Sequence, residues 1–279
     1  MVPYRLSDAE IDSFLSEDVP FGDLTTRSLR IGAEPGRMIF RARAGMVVSS
    51  TEEAARLLER AGASVSAFRP SGSDLAAGEI LLEASGPASA LLAGWKVAQT
   101  LVESASGIAS AAKAIVTAAR AVAPGISIAC TRKTFPGTKS VALKAIMAGG
   151  AVAHRLGLSE SILLFPEHRA FRPGHSLGDL IAQLRQTCPE RKVVVEVNSL
   201  TEAVEAARAK ADVVQLEKFT PAALSQVVAE IGGLCVVAAA GGINAGNAAQ
   251  YAANGAHVLV TSSPYWAPPS DVAVSITGE

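Results

Sequence analysis

The second half of the chain alternates short apolar runs with stretches of helical pattern. Most of the apolar runs are followed by a helical stretch, at residues 139–148, 201–209, 221–231 and 244–253. Strands that alternate with helices at this spacing are typical of a parallel sheet, and right-handed crossovers can close such a sheet into a barrel. Six strands are predicted instead of eight, which indicates an open, roughly six-stranded parallel α/β barrel. The predicted strands are 126–130, 161–165, 193–197, 212–216, 235–240 and 257–261.

The first hundred residues follow a different pattern, typical of a small α+β sandwich domain. Arg37–Arg43 alternates apolar and basic side chains with the period of two that predicts a strand. Ser50-Thr-Glu-Glu53 has the spacing of a capping box, and the helix it opens should end at Gly62. Two further strands are predicted, at Ser64–Phe68 and Glu79–Ala84.

An Ala-rich helical region, 90–122, joins the two halves, and a break is expected near Ser106-Gly107. The tail ends in an alternating stretch, 271–276, which should return as a strand to the first sheet. We therefore predict a sandwich domain of residues 1–105, joined by the strand 270–279, and a barrel domain of residues 106–269.

Composition excludes several classes of protein. Twenty-five basic and 26 acidic residues give a formal net charge of -1, so no overall field favours nucleic acid or a membrane surface. Residues 232–270 lack charged side chains, but polar residues, glycine and proline interrupt them, so no membrane helix is predicted. Three widely spaced cysteines, Cys130, Cys188 and Cys235, favour a reduced, cytoplasmic protein.

Cationic residues follow the first predicted barrel strand. Arg132-Lys133 comes directly after it, and His154-Arg155 lies about twenty residues later. In parallel α/β folds the carboxyl ends of the strands carry the ligand site. Arginine can grip a carboxylate or phosphate through two parallel hydrogen bonds, and lysine adds a compact charge. The alternative is a set of surface charges or salt bridges that fix loops. The preferred interpretation is a pocket for a multiply anionic small molecule.

Two glutamates end neighbouring predicted strands. Glu196 lies inside an apolar run, where a lone carboxylate is costly, and Glu217 follows the next run. Two carboxylates together with pyrophosphate oxygens are suitable ligands for Mg²⁺. The alternative is that these glutamates pair with Lys218, Lys133 or Lys144. After the fifth strand, Gly241-Gly242 could bring backbone N–H groups close to a phosphate.

Taken together, these segments resemble the quinolinate phosphoribosyltransferase (nicotinate-nucleotide pyrophosphorylase) family. The resemblance rests on motifs along nearly the whole chain, and within the family it points to the ModD branch, which is associated with molybdate-transport genes. The motifs are Glu17–Thr26, Ser106–Ala109, Thr131–Gly137, His154–Glu160, Val195–Val197, Gly241–Ile243 and Pro264–Ala267.

The resemblance implies a homodimer in which Lys96 enters the partner's site, and a role for each candidate residue. Lys96, Arg132, Lys133, His154 and Arg155 would bind the anionic aromatic acceptor. Lys133 would also serve phosphoribosyl diphosphate. Glu196 and Glu217 would lie at the ribose and Mg²⁺, and Gly241, Gly242 and Ser262 would hold the phosphate.

Several positions depart from the quinolinate pattern. Lys96 stands for the family's arginine, Phe165 for a lysine, Glu217-Lys218 for Asp-Asn, Ala240 for serine and Ser262 for glycine. The expected activity is therefore transfer of phosphoribose to a quinolinate-like acid that need not be quinolinate, with decarboxylation only if it is. Two rival hypotheses are a non-catalytic accessory protein of molybdenum metabolism and a barrel lyase that uses Lys133 as a Schiff-base nucleophile.

Overall fold

The computed structural model describes residues 4–279, which form two compact units. The helices are α1 (Asp8–Asp18), α2 (Leu24–Leu29), α3 (Thr51–Ala61), α4 (Ala88–Arg120), α5 (Lys139–Ala148), α6 (Pro166–Ala170), α7 (Leu177–Thr187), α8 (Leu200–Arg208), α9 (Pro221–Ile231) and α10 (Ala248–Ala253). The strands are β1 (Pro35–Ala42), β2 (Met46–Val47), β3 (Ser64–Phe68), β4 (Asp74–Leu75), β5 (Ile80–Pro87), β6 (Ser127–Cys130), β7 (Val152–Ala153), β8 (Ile162–Leu164), β9 (Val193–Val197), β10 (Val213–Glu217), β11 (Val236–Ala240), β12 (Val258–Thr261) and β13 (Val272–Gly278).

The first unit, here called the sheet unit, contains residues 4–113, Phe135–Gly150 and Pro264–Glu279. Its main sheet is antiparallel, with the strand order β13-β1-β5-β3. The alternation in β1 buries Met38, Phe40 and Ala42, as predicted, and these side chains join one core with α3 and α4. The tail strand β13 pairs with β1 over its whole length, which confirms the predicted return of the chain end.

Two local predictions in the sheet unit were wrong. Ser50 adopts a left-handed backbone (φ 63°) and makes no side-chain cap, because its N–H bonds to Ser71 and Glu53 binds Lys144 instead of the helix start. Helix α4 runs unbroken through Gly107. A Cβ atom at Gly107 would lie 2.2 Å from the carbonyl oxygen of Pro268, so this glycine allows a close backbone approach and does not mark a break.

The second unit, here called the barrel unit, contains residues 114–134 and 151–263. Its sheet has seven strands in the order β7-β6-β12-β11-β10-β9-β8, and every pairing is parallel. The six predicted strands are all present. The seventh, β7, has only two residues and no periodicity that a sequence pattern could reveal. Strands β7 and β8 are the two edges of the sheet, so this curled sheet stays open, as predicted.

Two helices have the predicted bounds, and a third starts later than predicted. Helices α5 and α9 begin and end where the apolar periodicity placed them. Helix α10 starts at Ala248, four residues later than predicted, because the amide side chains of Asn244 and Asn247 bond to the carbonyl oxygen of Gly242 and hold the preceding segment as a loop. Among residues 4–279, no helix combines the length and the apolarity that a membrane span requires.

Candidate active site at the carboxyl edge of the barrel sheet

The candidate residues of the barrel unit lie along one edge of its sheet. Cys130, the last residue of β6, pairs with Thr261 at the end of β12 and with Ala153 at the end of β7. Farther along, Glu217 pairs with Ala240, and Gln215 pairs with Glu196. Parallel strands lie about 4.8 Å apart, so the residues that follow these ends form one rim. Eight of the nine sequence candidates of this unit, all but Glu196, follow or terminate a strand at this rim.

The cationic candidates follow β6 and its neighbour β7. The His154 N–H donates to the carbonyl oxygen of Cys130 (2.8 Å), which places His154 and Arg155 beside the loop that carries Arg132 and Lys133. Burial and the positive charge of Arg155 lower the pKa of His154, so its imidazole is neutral at pH 7. Burial and the charge of Arg132 likewise lower the pKa of Arg155. The two guanidinium groups are therefore electrostatic neighbours.

The acidic candidates occupy β9 and β10, on the other side of the rim. Gln215 is buried and donates from Nε2 to Glu196 Oε2 (2.7 Å), while its own Oε1 has no partner among the described residues. Burial raises the pKa of Glu196, the Gln215 bond opposes the rise, and the nearby charges of Glu217 and Glu167 add to it. The positive charge of Lys133 lowers the pKa of the same carboxyl, so the loop that carries Lys133 lies near the acidic residues.

The alternative, in which these glutamates pair with a lysine, is not observed among the described residues. Within residues 4–279, neither Glu196 nor Glu217 forms an ion pair, and Lys144 pairs with Glu52 and Glu53 in the sheet unit. Glu196 and Glu217 therefore keep carboxylate oxygens for another cation.

The fit of these two carboxylates to Mg²⁺ follows from their number and chemistry. In the described part of the chain, no group of three or more His, Cys, Asp or Glu side chains could hold a metal ion. Mg²⁺ usually takes one or two carboxylates and completes its shell with water and substrate phosphates. Glu196 and Glu217 fit such a site and do not fit a metal site made of protein ligands alone.

Gly241 and Gly242 form the turn after β11, and both have positive φ (88° and 81°). A Cβ atom on Gly241 would lie 2.9 Å from the Lys218 nitrogen and 3.0 Å from Glu217 Oε1, so only glycine allows the ends of β10 and β11 to pack this closely. In the described chain, neither glycine donates its N–H to a protein acceptor. Ser262, partly buried, follows the adjacent strand β12.

Lys96, the remaining candidate, lies in the sheet unit. It is on α4, where its Nζ donates to Gln99 Oε1 (3.3 Å) and lies 4.2 Å from the centroid of the Trp95 ring.

Lys133 is exposed on its loop, outside the apolar interior of the sheet. Cys130 precedes that loop, but burial raises its pKa to about 12, so it remains a thiol at neutral pH and is no nucleophile.

Sequence reasoning missed three residues of the rim. Gln215 occupies an apolar strand, and the polarity of that one position was the available signal. Glu167 and His168 lie in the short helix α6, which has no amphipathic period to reveal it.

A cavity of about 710 Å³ lies elsewhere, at the strand starts, lined by Asp212, Val236 and His257 among others. It is at the opposite edge of the sheet from the candidate site.

Two domain models of one known family match nearly the whole chain. The C-terminal domain of quinolinate phosphoribosyl transferase matches residues 108–275, and the N-terminal domain of the same family matches residues 23–106. A Rhodobacter capsulatus protein named "Putative pyrophosphorylase ModD" is 54% identical over 88% of this chain and 96% of its own length. The human nicotinate-nucleotide pyrophosphorylase [carboxylating] is 35% identical, over 91% of this chain and 85% of its own length.

A solved structure extends the likeness to the fold. NadC from Streptococcus pyogenes superimposes with a TM-score of 0.90 and 26% identity, over 99% of each chain. The two domain matches together cover nearly the whole chain, and the resemblance drawn from its motifs is confirmed. This chain belongs to the quinolinate phosphoribosyl transferase family.

Proposed function

We propose that this chain transfers phosphoribose from phosphoribosyl diphosphate to the ring nitrogen of an anionic aromatic acid and releases pyrophosphate. The observation that carries the proposal is the separation of charge along one rim. Two arginines lie after β6 and β7. Two glutamates that form no ion pair with any described residue lie at β9 and β10. Family membership supplies the reaction class, since the human relative is named a nicotinate-nucleotide pyrophosphorylase.

Each group would have a defined part in the reaction. The ring nitrogen attacks C1 of the ribose while the bond from C1 to the pyrophosphate oxygen breaks, and the electron pair leaves with pyrophosphate. Positive charge that develops on the ribose would be stabilised by Glu196 and Glu217, and negative charge on the leaving group by Lys133. The N–H groups of Gly241 and Gly242, together with Ser262, would bind the phosphate.

The acceptor's carboxylate would be oriented by Arg132, Arg155 and neutral His154. A magnesium ion held by Glu196 and Glu217 would neutralise phosphate charge when bound. With or without the metal ion, the same residues would bind and orient both substrates, because they are carried by the strand ends.

Replacing Arg132 by alanine is expected to raise the KM for the acceptor by about tenfold to a hundredfold, because one charge-assisted hydrogen bond is lost. Pyrophosphate release from phosphoribosyl diphosphate, measured across a panel of pyridine and other aromatic acids, tests this. Arg208→Ala is the matched control, since Arg208 lines the cavity at the opposite edge of the sheet.

An unchanged acceptor KM in the Arg132 variant would remove this residue from the site. If the unaltered chain released no pyrophosphate with any acid of the panel, the transferase proposal would fail, and a non-catalytic ligand-binding protein would be the better interpretation. Borohydride trapping of a substrate on Lys133 would instead favour the lyase.

A homodimer that brings Lys96 to a partner's site belongs to the same proposal. Lys96 is exposed on α4, and the sheet unit also exposes large apolar side chains at Phe21 (88%), Leu24 (65%) and Leu29 (63%). Exposed apolar side chains that form a patch mark a protein–protein interaction surface. Sedimentation equilibrium is expected to give twice the chain mass of 28.6 kDa at micromolar concentration. A single-chain mass under those conditions would contradict the dimer.

A further inference from the structure

Arg155 and Phe165 meet where the two edges of the barrel sheet face each other. Arg155 follows edge strand β7, and Phe165 follows the opposite edge strand β8. The guanidinium carbon of Arg155 nevertheless lies 5.8 Å from the centroid of the Phe165 ring. Because β7 and β8 do not pair, this contact requires the sheet to curl until its edges approach at the carboxyl rim. We call this place the seam.

Arg155 is a buried cation that lacks an anionic partner among the described residues. It is only 7% exposed, and its one hydrogen bond to protein in residues 4–279 is a long one, from Nη1 to the carbonyl oxygen of Ser161 (3.4 Å). The charge of Arg132, which has the same sign, lowers the pKa of Arg155 further. A buried charge is costly unless it is paired and hydrogen-bonded. The seam therefore lacks one anionic group on its Arg155 side.

The other side of the seam is aromatic. Phe165 is partly buried, and the ring of His168 stacks on it, with 5.8 Å between centroids and 24° between planes. The Phe165 N–H donates to His168 Nδ1 (3.0 Å), which fixes the histidine ring against the phenylalanine. This side of the seam therefore offers apolar ring surface.

Carboxylates lie beyond the aromatic side. Leu164 pairs with Val195, so Phe165 lies next to Glu196 along the rim. Glu167, on α6, and Glu217 also act on Glu196. The positive charge of Lys133 opposes these carboxylates but does not outweigh burial and their charges, since the pKa of Glu196 is raised. A second carboxylate on a ligand that pointed toward Phe165 would lose water against the ring and meet carboxylates of the same sign.

We propose that the acceptor is a planar aromatic nitrogen acid with a single carboxylate, bound with that carboxylate on Arg155 and its ring against Phe165, and that Phe165 selects against dicarboxylic acids. This inference rests on the proposed function and makes its acceptor more specific. Arg132, whose charge acts on Arg155, would bind the same carboxylate, and the Phe165 side chain offers a second carboxylate no hydrogen-bond donor.

The test compares two acids that differ only in the second carboxylate, pyridine-3-carboxylate and pyridine-2,3-dicarboxylate. On the unaltered chain, kcat/KM measured by pyrophosphate release should be at least tenfold higher for the monocarboxylate than for the dicarboxylate. Phe165→Lys adds a cation at the seam and should lower this ratio by tenfold or more. Phe165→Leu, the matched control, keeps an apolar side chain and should leave the preference for the monocarboxylate in place.

Isothermal titration calorimetry with each acid alone, on the same three proteins, measures the binding preference without any turnover. Tighter binding of the monocarboxylate to the unaltered chain supports the inference even if no pyrophosphate is released, in which case only the transferase proposal fails. Preference for the dicarboxylate, binding of neither acid, or an unchanged ratio in a folded Phe165→Lys variant would overturn it. The comparison on the unaltered chain requires no variant to fold.

Discussion

Replacing Lys144 by methionine is expected to lower the free energy of unfolding by about 3–5 kcal/mol, the usual cost of breaking a buried ion pair from one side. Lys144 is 3% exposed, and its Nζ lies 2.5 Å from Glu53 Oε2 and 2.9 Å from Glu52 Oε2. Glu53 is fully buried, and its other oxygen, Oε1, has no partner among the described residues. Without the ammonium group, this carboxylate would be buried and uncompensated. Urea unfolding measures the loss.

Two further variants separate this effect from the general loss of a charge. Lys113→Met removes an exposed lysine of the sheet unit whose ion pair with Asp74 spans 3.7 Å, and it should cost less than about 1 kcal/mol. The double variant Lys144→Met, Glu53→Leu should recover much of the lost stability, because an apolar pair of similar volume can replace a buried ion pair. A loss below 1 kcal/mol for Lys144→Met alone would show that the pair does not stabilise the unit.

Replacing Glu196 by glutamine is expected to reduce kcat for pyrophosphate release by about 10²–10³-fold while making the protein more stable at neutral pH. The rate falls because a charge that stabilises the developing ribose cation is removed. The amide can still accept the bond from Gln215 Nε2, so the local structure is retained. Rate and stability should therefore change in opposite directions, which a variant that merely disrupts packing would not show.

The pH dependence follows from the sign of the pKa shift. Burial and the charges of Glu217 and Glu167 raise the pKa of Glu196 above its ordinary value of 4.5, so the folded state binds this proton more tightly than the unfolded chain does. Its contribution to stability is therefore lost as pH rises through the window above 4.5. The stabilising effect of Glu196→Gln should be present at pH 7 and disappear at pH 4, as measured by urea unfolding at both values.

Glu202→Gln is the control, because the pKa of Glu202 is shifted in the opposite direction from that of Glu196. Burial opposes ionisation of Glu202, but the hydrogen bonds from Arg169 and from the Asn198 N–H outweigh it and lower its pKa. Its contribution is present at neutral pH and is lost as pH falls, so Glu202→Gln should destabilise the protein at pH 7 and less at pH 4. Equal destabilisation by both substitutions at pH 7 would contradict this account of Glu196.

Much of the barrel unit could be predicted because its signals are local. The run Val193–Val197 is apolar enough to be a buried strand wherever it folds, and Pro221–Ile231 combines a Thr cap, a first-turn proline and helical periodicity. Glu196 was identified because a carboxylate inside such a run is conspicuous. The rim itself also follows from the sequence, since strands joined by right-handed crossovers must all end at the same edge.

Other features could not be predicted, because each depends on how separate segments of the chain come together in the fold. Strand β7 has two residues and exists because β6 offers it a partner. Ser50 and Glu53 have the spacing of a capping box, yet Glu53 binds Lys144, 91 positions away. The contact of Arg155 with Phe165 arises only when the curled sheet brings its edges together.

The sequence by itself determined most of the strands and helices, the family, and the edge of the sheet that carries the candidate groups, because periodicity and motif spacing are encoded over a few neighbouring residues. Only the tertiary structure decided which charges are paired. It left Arg155 and Glu196 without ion pairs among the described residues and gave Lys144 two carboxylates. The physical reason is that burial and distance set the energy of a charge, and both are properties of the folded chain.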